Sequence, residues 1–253
     1  MQSLAVITGA GAGIGRALAL EGASRGFSIL GIEADQVRAE ALDTVLGTSG
    51  RCLTGDVRRI EDLETIAQVC GDAPISLVFA NAGVLRAGKP WEQRPADRDL
   101  VLDVNVKGVL NTLQAFAPRL FAQSTASAVV FTASLASFAA PAGLDAYAAS
   151  KHAVLAIAAG FAGETRSRHP HVRSVLLCPG AVHTAIADDD VEGPGGRLQA
   201  SIRRRAQDGA SPQATAFAAF EAIADGRDVV LLDDRALGAI AARAEALCVG
   251  RLL

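Results

Sequence analysis

The sequence predicts an α/β fold: a doubly wound parallel sheet of about seven strands with helices on both faces. Two observations carry this expectation. Apolar runs of strand length alternate with helix-length segments along the whole chain, as crossover connections require. The runs are also continuously Val-, Ile- and Leu-rich rather than alternating with polar residues, the pattern of strands buried on both faces. Half of the 253 residues are hydrophobic while only 4% are aromatic, so the core is expected to form from small, closely packed side chains in one domain over residues 1–253.

In chain order the expected strands are LAVIT (4–8), FSILGI (27–32), RCLTG (51–55), ISLVFA (75–80), AVVFTA (128–133), VRSVLLC (172–178) and DVVLL (228–232). Segments of helix-forming composition, such as ALALEGASR, IEDLETIAQVC and AVLAIAAGFAGETRSR, lie between them. Residues 188–212, rich in Gly, Pro and charge, interrupt the pattern and read as a mobile insertion, with residues 183–212 as a substrate lid. After the last strand the composition predicts a terminal helix.

A net charge of −3 with no long basic run argues against binding to nucleic acid or to acidic membranes. No apolar run reaches about 18 residues, so no membrane span is expected. Cys52, Cys70, Cys178 and Cys248 show neither CxxC spacing nor a cluster, which suits free thiols in a reducing compartment. The chain enters its first strand without a basic leader or cleavage site, as expected of a cytoplasmic protein. The HPH triplet at 169–171 offers no third ligand and predicts no metal site.

Directly after the first strand comes TGAGAGIG, residues 8–15, which leads into a helix. Gly9, Gly13 and Gly15 allow a tight turn and close approach of a pyrophosphate to the backbone. The helix starting near Ile14 aims free N–H groups and a positive dipole end at that anion. Glu33 closes the second strand 18 residues beyond Gly15. A carboxylate there accepts bonds from the adenosine ribose hydroxyls and repels a 2′-phosphate. Neither Ala34 nor Ala12 supplies a cation, so NAD rather than NADP is the expected cofactor.

Tyr147 is the only tyrosine, and four residues on stands Lys151, one of three lysines. On a helix that spacing puts both on one face. A phenol titrates near pH 10, too high for a base at neutral pH. An ammonium about 5 Å away, at an effective dielectric of about 20, favours phenolate by roughly 3 kcal/mol, about two pKa units.

With these motifs the chain resembles the short-chain dehydrogenase/reductase family in its compact, single-domain branch. The resemblance runs from Leu4 to about Thr184, some 70% of the length, through motifs in the family's order. It implies a Rossmann-type fold and the following roles. GDV supplies Asp56 and Val57 at the adenine. ANAG supplies Asn81, Ala82 and Gly83, with Asn81 steadying the sheet beside the cofactor. VNVKG supplies Asn105, TAS supplies Ser134 and YAASK supplies Tyr147 and Lys151. PGAVHT supplies Pro179, Gly180, Val182 and Thr184, the last at the nicotinamide carboxamide. Ser134 lies 13 residues before Tyr147, as the family spacing demands.

By this resemblance Tyr147 is the general acid/base on a secondary alcohol or ketone, and Ser134 holds the substrate oxygen. Lys151 lowers the tyrosine pKa and grips the nicotinamide ribose, while Asn105 holds a water that connects Lys151 to solvent. Leu135, Phe138, Pro141, Leu144 and Ile186 suggest a largely apolar substrate pocket. His152 is expected to be structural, His183 is a candidate for the pocket mouth, and DDD (188–190) and RRR (203–205) are expected to be solvated.

The chain departs from the family pattern at Ala80, Ala133 and the C-terminal end, where the Val-Asp-Gly-Gly segment of many tetrameric members is missing. A homodimer through helices at about 97–120 and 145–167 is therefore expected alongside a homotetramer. The alternative function is a non-catalytic NAD(H)-binding redox sensor, disfavoured by the intact Ser–Tyr–Lys set. An extended-branch epimerase or dehydratase is disfavoured by chain length and by the lack of a TGxxGxxG loop.

Overall fold

All seven apolar runs become strands: β1 (Leu4–Thr8), β2 (Ser28–Glu33), β3 (Gly50–Thr54), β4 (Ile75–Ala80), β5 (Ser127–Thr132), β6 (Val172–Cys178) and β7 (Val229–Leu231). The structure is a computed structural model and describes residues 3–249. The strands form one parallel sheet in the order β3-β2-β1-β4-β5-β6-β7. The order reverses between β1 and β4, which opens a crevice at their carboxyl ends where ligands of such sheets bind.

Helices α1 (Gly13–Ser24), α2 (Gln36–Leu46) and α3 (Ile60–Val69) connect the first four strands. Next come α4 (Pro95–Leu102) and α5 (Gly108–Ala122), joined by a turn of π-helix over Asp103–Lys107 in which the Gly108 N–H bonds the Asp103 carbonyl. Then follow α6 (Asp145–Arg168), α7 (Gly195–Gln207), α8 (Pro212–Ala224) and α9 (Arg235–Cys248).

The continuous apolar strands are explained by two cores, one on each face. In β1, Leu4 and Val6 join the core beneath α3, α5 and α6, whereas Ala5 and Ile7 join the one beneath α1, α2 and α8. β4 divides in the same way, with Val78 and Ala80 on one face and Leu77 and Phe79 on the other. Strand alternation therefore persists, but both sides are buried and the sequence shows no polar face.

Within residues 188–212, α7 occupies Gly195–Gln207, a helix that the composition did not announce. Glycine and charge hid it: Gly195 is buried at its first position, and Arg203, Arg204 and Arg205 stand toward its end. No helix among the described residues is long and apolar enough to cross a membrane.

The carboxyl ends of three strands are stapled by side chains. The buried Thr8 hydroxyl donates to the Phe79 carbonyl (3.2 Å) and accepts from the Asn81 and Ala82 N–H groups (2.9 and 3.1 Å). Asn81 in turn donates to the Thr8 carbonyl (3.0 Å) and accepts from the Thr132 hydroxyl (3.1 Å). Leaving such groups unpaired costs about 1–3 kcal/mol. Thr8→Val keeps the shape and removes the hydroxyl, so urea unfolding should show a loss of about 2 kcal/mol. Thr44→Val, on the exposed face of α2, should stay within about 0.5 kcal/mol of the native chain.

Candidate active site

The i, i+4 spacing does bring Tyr147 and Lys151 together at the start of α6, with the Lys151 Nζ 5.7 Å from the centre of the phenol ring. Both are buried, Tyr147 8% and Lys151 3% exposed. The ammonium donates to the Thr132 carbonyl at 2.9 Å. Gly83 faces both Lys151 and Asn105, since a Cβ there would lie 3.5 Å from Nζ and 3.4 Å from the Asn105 Oδ1.

Asn105, fully buried in the π-turn, is spent on the scaffold. Its Nδ2 donates to the Val84 carbonyl (3.0 Å) and the Ser150 hydroxyl (2.9 Å), and its Oδ1 accepts from the Val84 N–H (2.8 Å). Ser150 passes the link to the Tyr147 carbonyl (2.7 Å). Both amide hydrogens are used, so Asn105 can hold a water only through an oxygen.

Ser134 follows β5 in extended backbone and caps a short 3₁₀ turn over Leu135–Ser137, its Oγ accepting from the Ala136 N–H at 3.1 Å. That leaves its hydroxyl hydrogen free to donate. Burial pushes the Tyr147 phenol above its ordinary range, and the adjacent Ser134 hydroxyl works in the opposite direction without overcoming it. The phenol is therefore raised rather than lowered as expected, and the group that opposes burial is Ser134 rather than Lys151. Burial also pushes the Lys151 ammonium down to about 8, with the nearby Cys178 thiol opposing. The Cys178 thiol itself is pushed up to about 12 by burial, against the pull of Lys151.

On the other side of the crevice, the residues suit a dinucleotide. The N-terminus of α1 has neither a side-chain cap nor an acidic residue in its first turn, so Gly13, Ile14 and Gly15 present backbone N–H groups to an anion. Gly9 (φ +64°) and Gly15 are required by close packing. A Cβ on Gly9 would lie 2.9 Å from the Ala82 Cα, and one on Gly15 1.9 Å from the Gly9 carbonyl oxygen. Glu33 sits at the rim, accepting from the Gly11 N–H (2.9 Å) and the Asp35 N–H (3.1 Å).

Asp56 and Val57 follow β3. Burial tends to raise the Asp56 carboxyl, but hydrogen bonds from Arg58 outweigh it and hold the group below its usual range. Val57 is buried against Gly108. Beyond β6, the Pro179 carbonyl accepts from the Leu135 N–H (2.9 Å), and Val182 is buried and bridges to Ala210. Thr184 meets α1: a Cβ on Gly13 would lie 3.0 Å from its Cγ2. Gly180 is glycine for another reason, since a Cβ there would strike the Asp233 carboxylate.

Several residues stand elsewhere than their sequence reading suggested. Phe138 packs into the core beneath α6, and Pro141 is exposed. Leu144 and Ile186 do join Tyr147, together with Val84, Leu85, Val101, Ala136, Ala148 and Ile202. His183 lines a cavity of about 320 Å³ with Gly13, Arg16, Thr184 and Arg203, and neither Ser134 nor Tyr147 is part of its wall. Arg204 and Arg205 are exposed as expected, but Arg203 turns back to the Ala187 carbonyl (3.1 Å) and to Asp190 (3.2 Å). His152 bonds the Ala148 carbonyl through Nδ1 (2.8 Å) and meets Arg243 through Nε2. Among the described residues no group of three or more His, Cys, Asp or Glu is placed to hold a metal.

Sequence reasoning missed Thr8, Thr132, Ser150 and Arg38. The first two were visible as polar residues closing otherwise apolar strands. Arg38 carries its Cβ against Gly11 on the rim beside Glu33, a contact only the fold creates.

The short chain dehydrogenase family profile matches residues 3–194. A 1-deoxy-11-beta-hydroxypentalenate dehydrogenase of Streptomyces exfoliatus is 36% identical over 189 residues, 72% of this chain and 68% of that one. A cis-2,3-dihydrobiphenyl-2,3-diol dehydrogenase of Pseudomonas sp. strain KKS102 is 33% identical over 200 residues, 76% of this chain and 69% of its own. A short chain dehydrogenase/reductase of Burkholderia phymatum, solved in complex with NAD, superposes with a TM-score of 0.94 at 30% identity, covering 99% of this chain and 96% of its own.

The buried ammonium has a stability consequence. The unfolded chain keeps the Lys151 proton to about 10.5 and the folded chain gives it up near 8. Between those values the unfolded state binds more protons, so stability rises with pH; below 8 the full penalty stands, on the order of 3 kcal/mol. Without nucleotide, Lys151→Met should therefore be more stable than the native chain at pH 7. Denaturant titrations should show the difference shrinking between pH 8 and 10.5.

Proposed function

The chain belongs to the short-chain dehydrogenase/reductase family, and on that premise we propose that it is an NAD-dependent oxidoreductase interconverting a secondary alcohol and a ketone. The observation that supports this reading is that Ser134 and Lys151 both stand beside the buried Tyr147, in a sheet whose first strand leads into the uncapped start of α1. A single Rossmann-type domain with residues 183–212 as the substrate lid fits this arrangement.

When bound, NAD supplies the acceptor for the hydride of the alcohol carbon. Gly9, Gly13, Ile14 and Gly15 hold its diphosphate, and Glu33 takes the adenosine ribose hydroxyls. Asp56 and Val57 border the adenine. Asn81, Ala82 and Gly83 form the floor, and Pro179, Gly180, Val182 and Thr184 close over the nicotinamide. The Ser134 hydroxyl donates to the substrate oxygen and fixes it against the phenol. Tyr147 takes the alcohol proton in oxidation and returns it in reduction. Lys151 favours phenolate and binds the nicotinamide ribose, and Asn105, through an oxygen, holds the water that links Lys151 to solvent.

Apolar side chains around Tyr147 support a small substrate with a largely apolar body, in keeping with relatives named for hydroxyl- and diol-bearing compounds. The buried thiols of Cys52, Cys70 and Cys178 suit a reducing cytoplasm. Leu102 and Leu110, exposed on the α4 and α5 helices, suit a homodimer there, with a homotetramer the larger alternative.

Tyr147→Phe should abolish turnover in a panel of secondary alcohols and ketones while NADH fluorescence still reports binding; turnover at the native rate would refute the mechanism. NADH binding with no turnover by the native chain would instead favour a redox sensor. Because burial raises the phenol, oxidation should accelerate as pH rises and reduction should be fastest at lower pH. Glu33→Ala should move the NAD-to-NADP ratio of kcat/KM toward NADP by about tenfold or more; an unchanged ratio would remove Glu33 from cofactor choice.

A further inference from the structure

Three segments meet at Ala87–Gly88, in the loop after β4. The Gln199 side chain on α7, 1% exposed, accepts from the Ala87 N–H at 2.9 Å. Its amide nitrogen faces the carbonyls of Leu85 (3.4 Å) and Asp189 (3.3 Å). Gly88 donates to the Gly143 carbonyl at 2.8 Å, just before α6 begins. The approach of α7 is close: a Cβ on Gly195 would lie 2.2 Å from the Ala87 carbonyl oxygen, and one on Gly143 (φ +78°) 2.3 Å from the Leu198 Cδ2. Arg86–Asp189 (2.5 Å) and Arg94–Glu192 (2.8 Å) span the same seam, but both carboxylates are exposed and solvent weakens such pairs. The Gln199 bond to Ala87 is buried, where an unmade bond is costly.

The chain around this seam also delivers Ile186 and Ile202 to the apolar cluster containing Tyr147. We propose that Gln199 is a positioning residue: its buried amide fixes the height of α7 over Tyr147 and thereby sets the depth of the substrate pocket and its closure to water. Glutamine suits the place because it accepts from an N–H and donates to a carbonyl at once, whereas glutamate only accepts and leucine does neither. The inference rests on Tyr147 being the catalytic acid/base, so its test includes a measurement that needs no turnover.

The test uses the full chain carrying Gln199→Leu, Gln199→Glu or Gly195→Ala, the last keeping the amide but crowding the Ala87 carbonyl. Trypsin reads the release of α7, which carries Arg197, Arg203, Arg204 and Arg205. With Gln199→Leu and Gly195→Ala, cleavage within α7 should accelerate about tenfold or more, and Gln199→Glu should fall between them and the native chain. NADH affinity should stay within about twofold. KM for a secondary alcohol turned over by the native chain should rise about tenfold while kcat changes less than about threefold. Unchanged cleavage of α7 in both variants would overturn the proposal, as would NADH affinity falling in parallel with the rise in KM. If Gln199→Leu does not fold, Gly195→Ala carries the same measurements. A native chain that binds NADH without turnover would sink the catalytic reading, and the cleavage arm alone would then decide whether Gln199 positions α7.

Discussion

The site depends on one buried residue, Thr132, at the carboxyl end of β5. Its hydroxyl holds Asn81 (3.1 Å), which holds the end of β1 through Thr8, while its carbonyl holds the Lys151 ammonium (2.9 Å). One residue thus ties the loop that suits a diphosphate to the helix that carries Tyr147 and Lys151. The link runs through backbone as much as side chain, so it couples strand ends rather than flexible tips. Strand ends held in this way keep buried side chains in one fixed geometry.

The same burial that fixes the pair perturbs it. Taking both the phenol and the ammonium out of water raises one and lowers the other, because desolvation disfavours each charged form. The arrangement is costly to the fold and gives two protonation equilibria displaced toward neutral species. Such displaced groups concentrated in a crevice mark functional sites more often than structural ones. Cys178, buried beside Lys151 at the end of β6, belongs to the same desolvated neighbourhood without offering a nucleophile, since its thiol holds its proton.

α7 shows how a polar, glycine-containing stretch becomes part of an ordered wall. Leu198, Ile202 and Ala206 face inward at helical spacing with Gln199 beside them, while Arg197, Arg204 and Arg205 face outward. Glycine at its first position permits an approach to the Ala87 carbonyl that any side chain would prevent. The glycine that helped to suggest a mobile insertion is therefore one that close packing needs.

The sequence by itself determined the seven strands, the loop from Gly9 to Gly15, Glu33 at the rim, and the shared face of Tyr147 and Lys151. Each of these follows from local rules: strand-length apolar runs, glycine between strand and helix, and the helical i, i+4 period. Only the tertiary structure decided the rest. It chose Leu144 and Ile186 over Phe138 for the neighbourhood of Tyr147, spent the Asn105 amide on Val84 and Ser150, and set Arg38 beside Gly11. It also folded α7 and buried Gln199 against a backbone 112 positions away. The physical reason is range. Periodicity reports which face a residue takes on its own element, whereas burial, protonation and hydrogen-bond partners depend on what a distant element brings to that face.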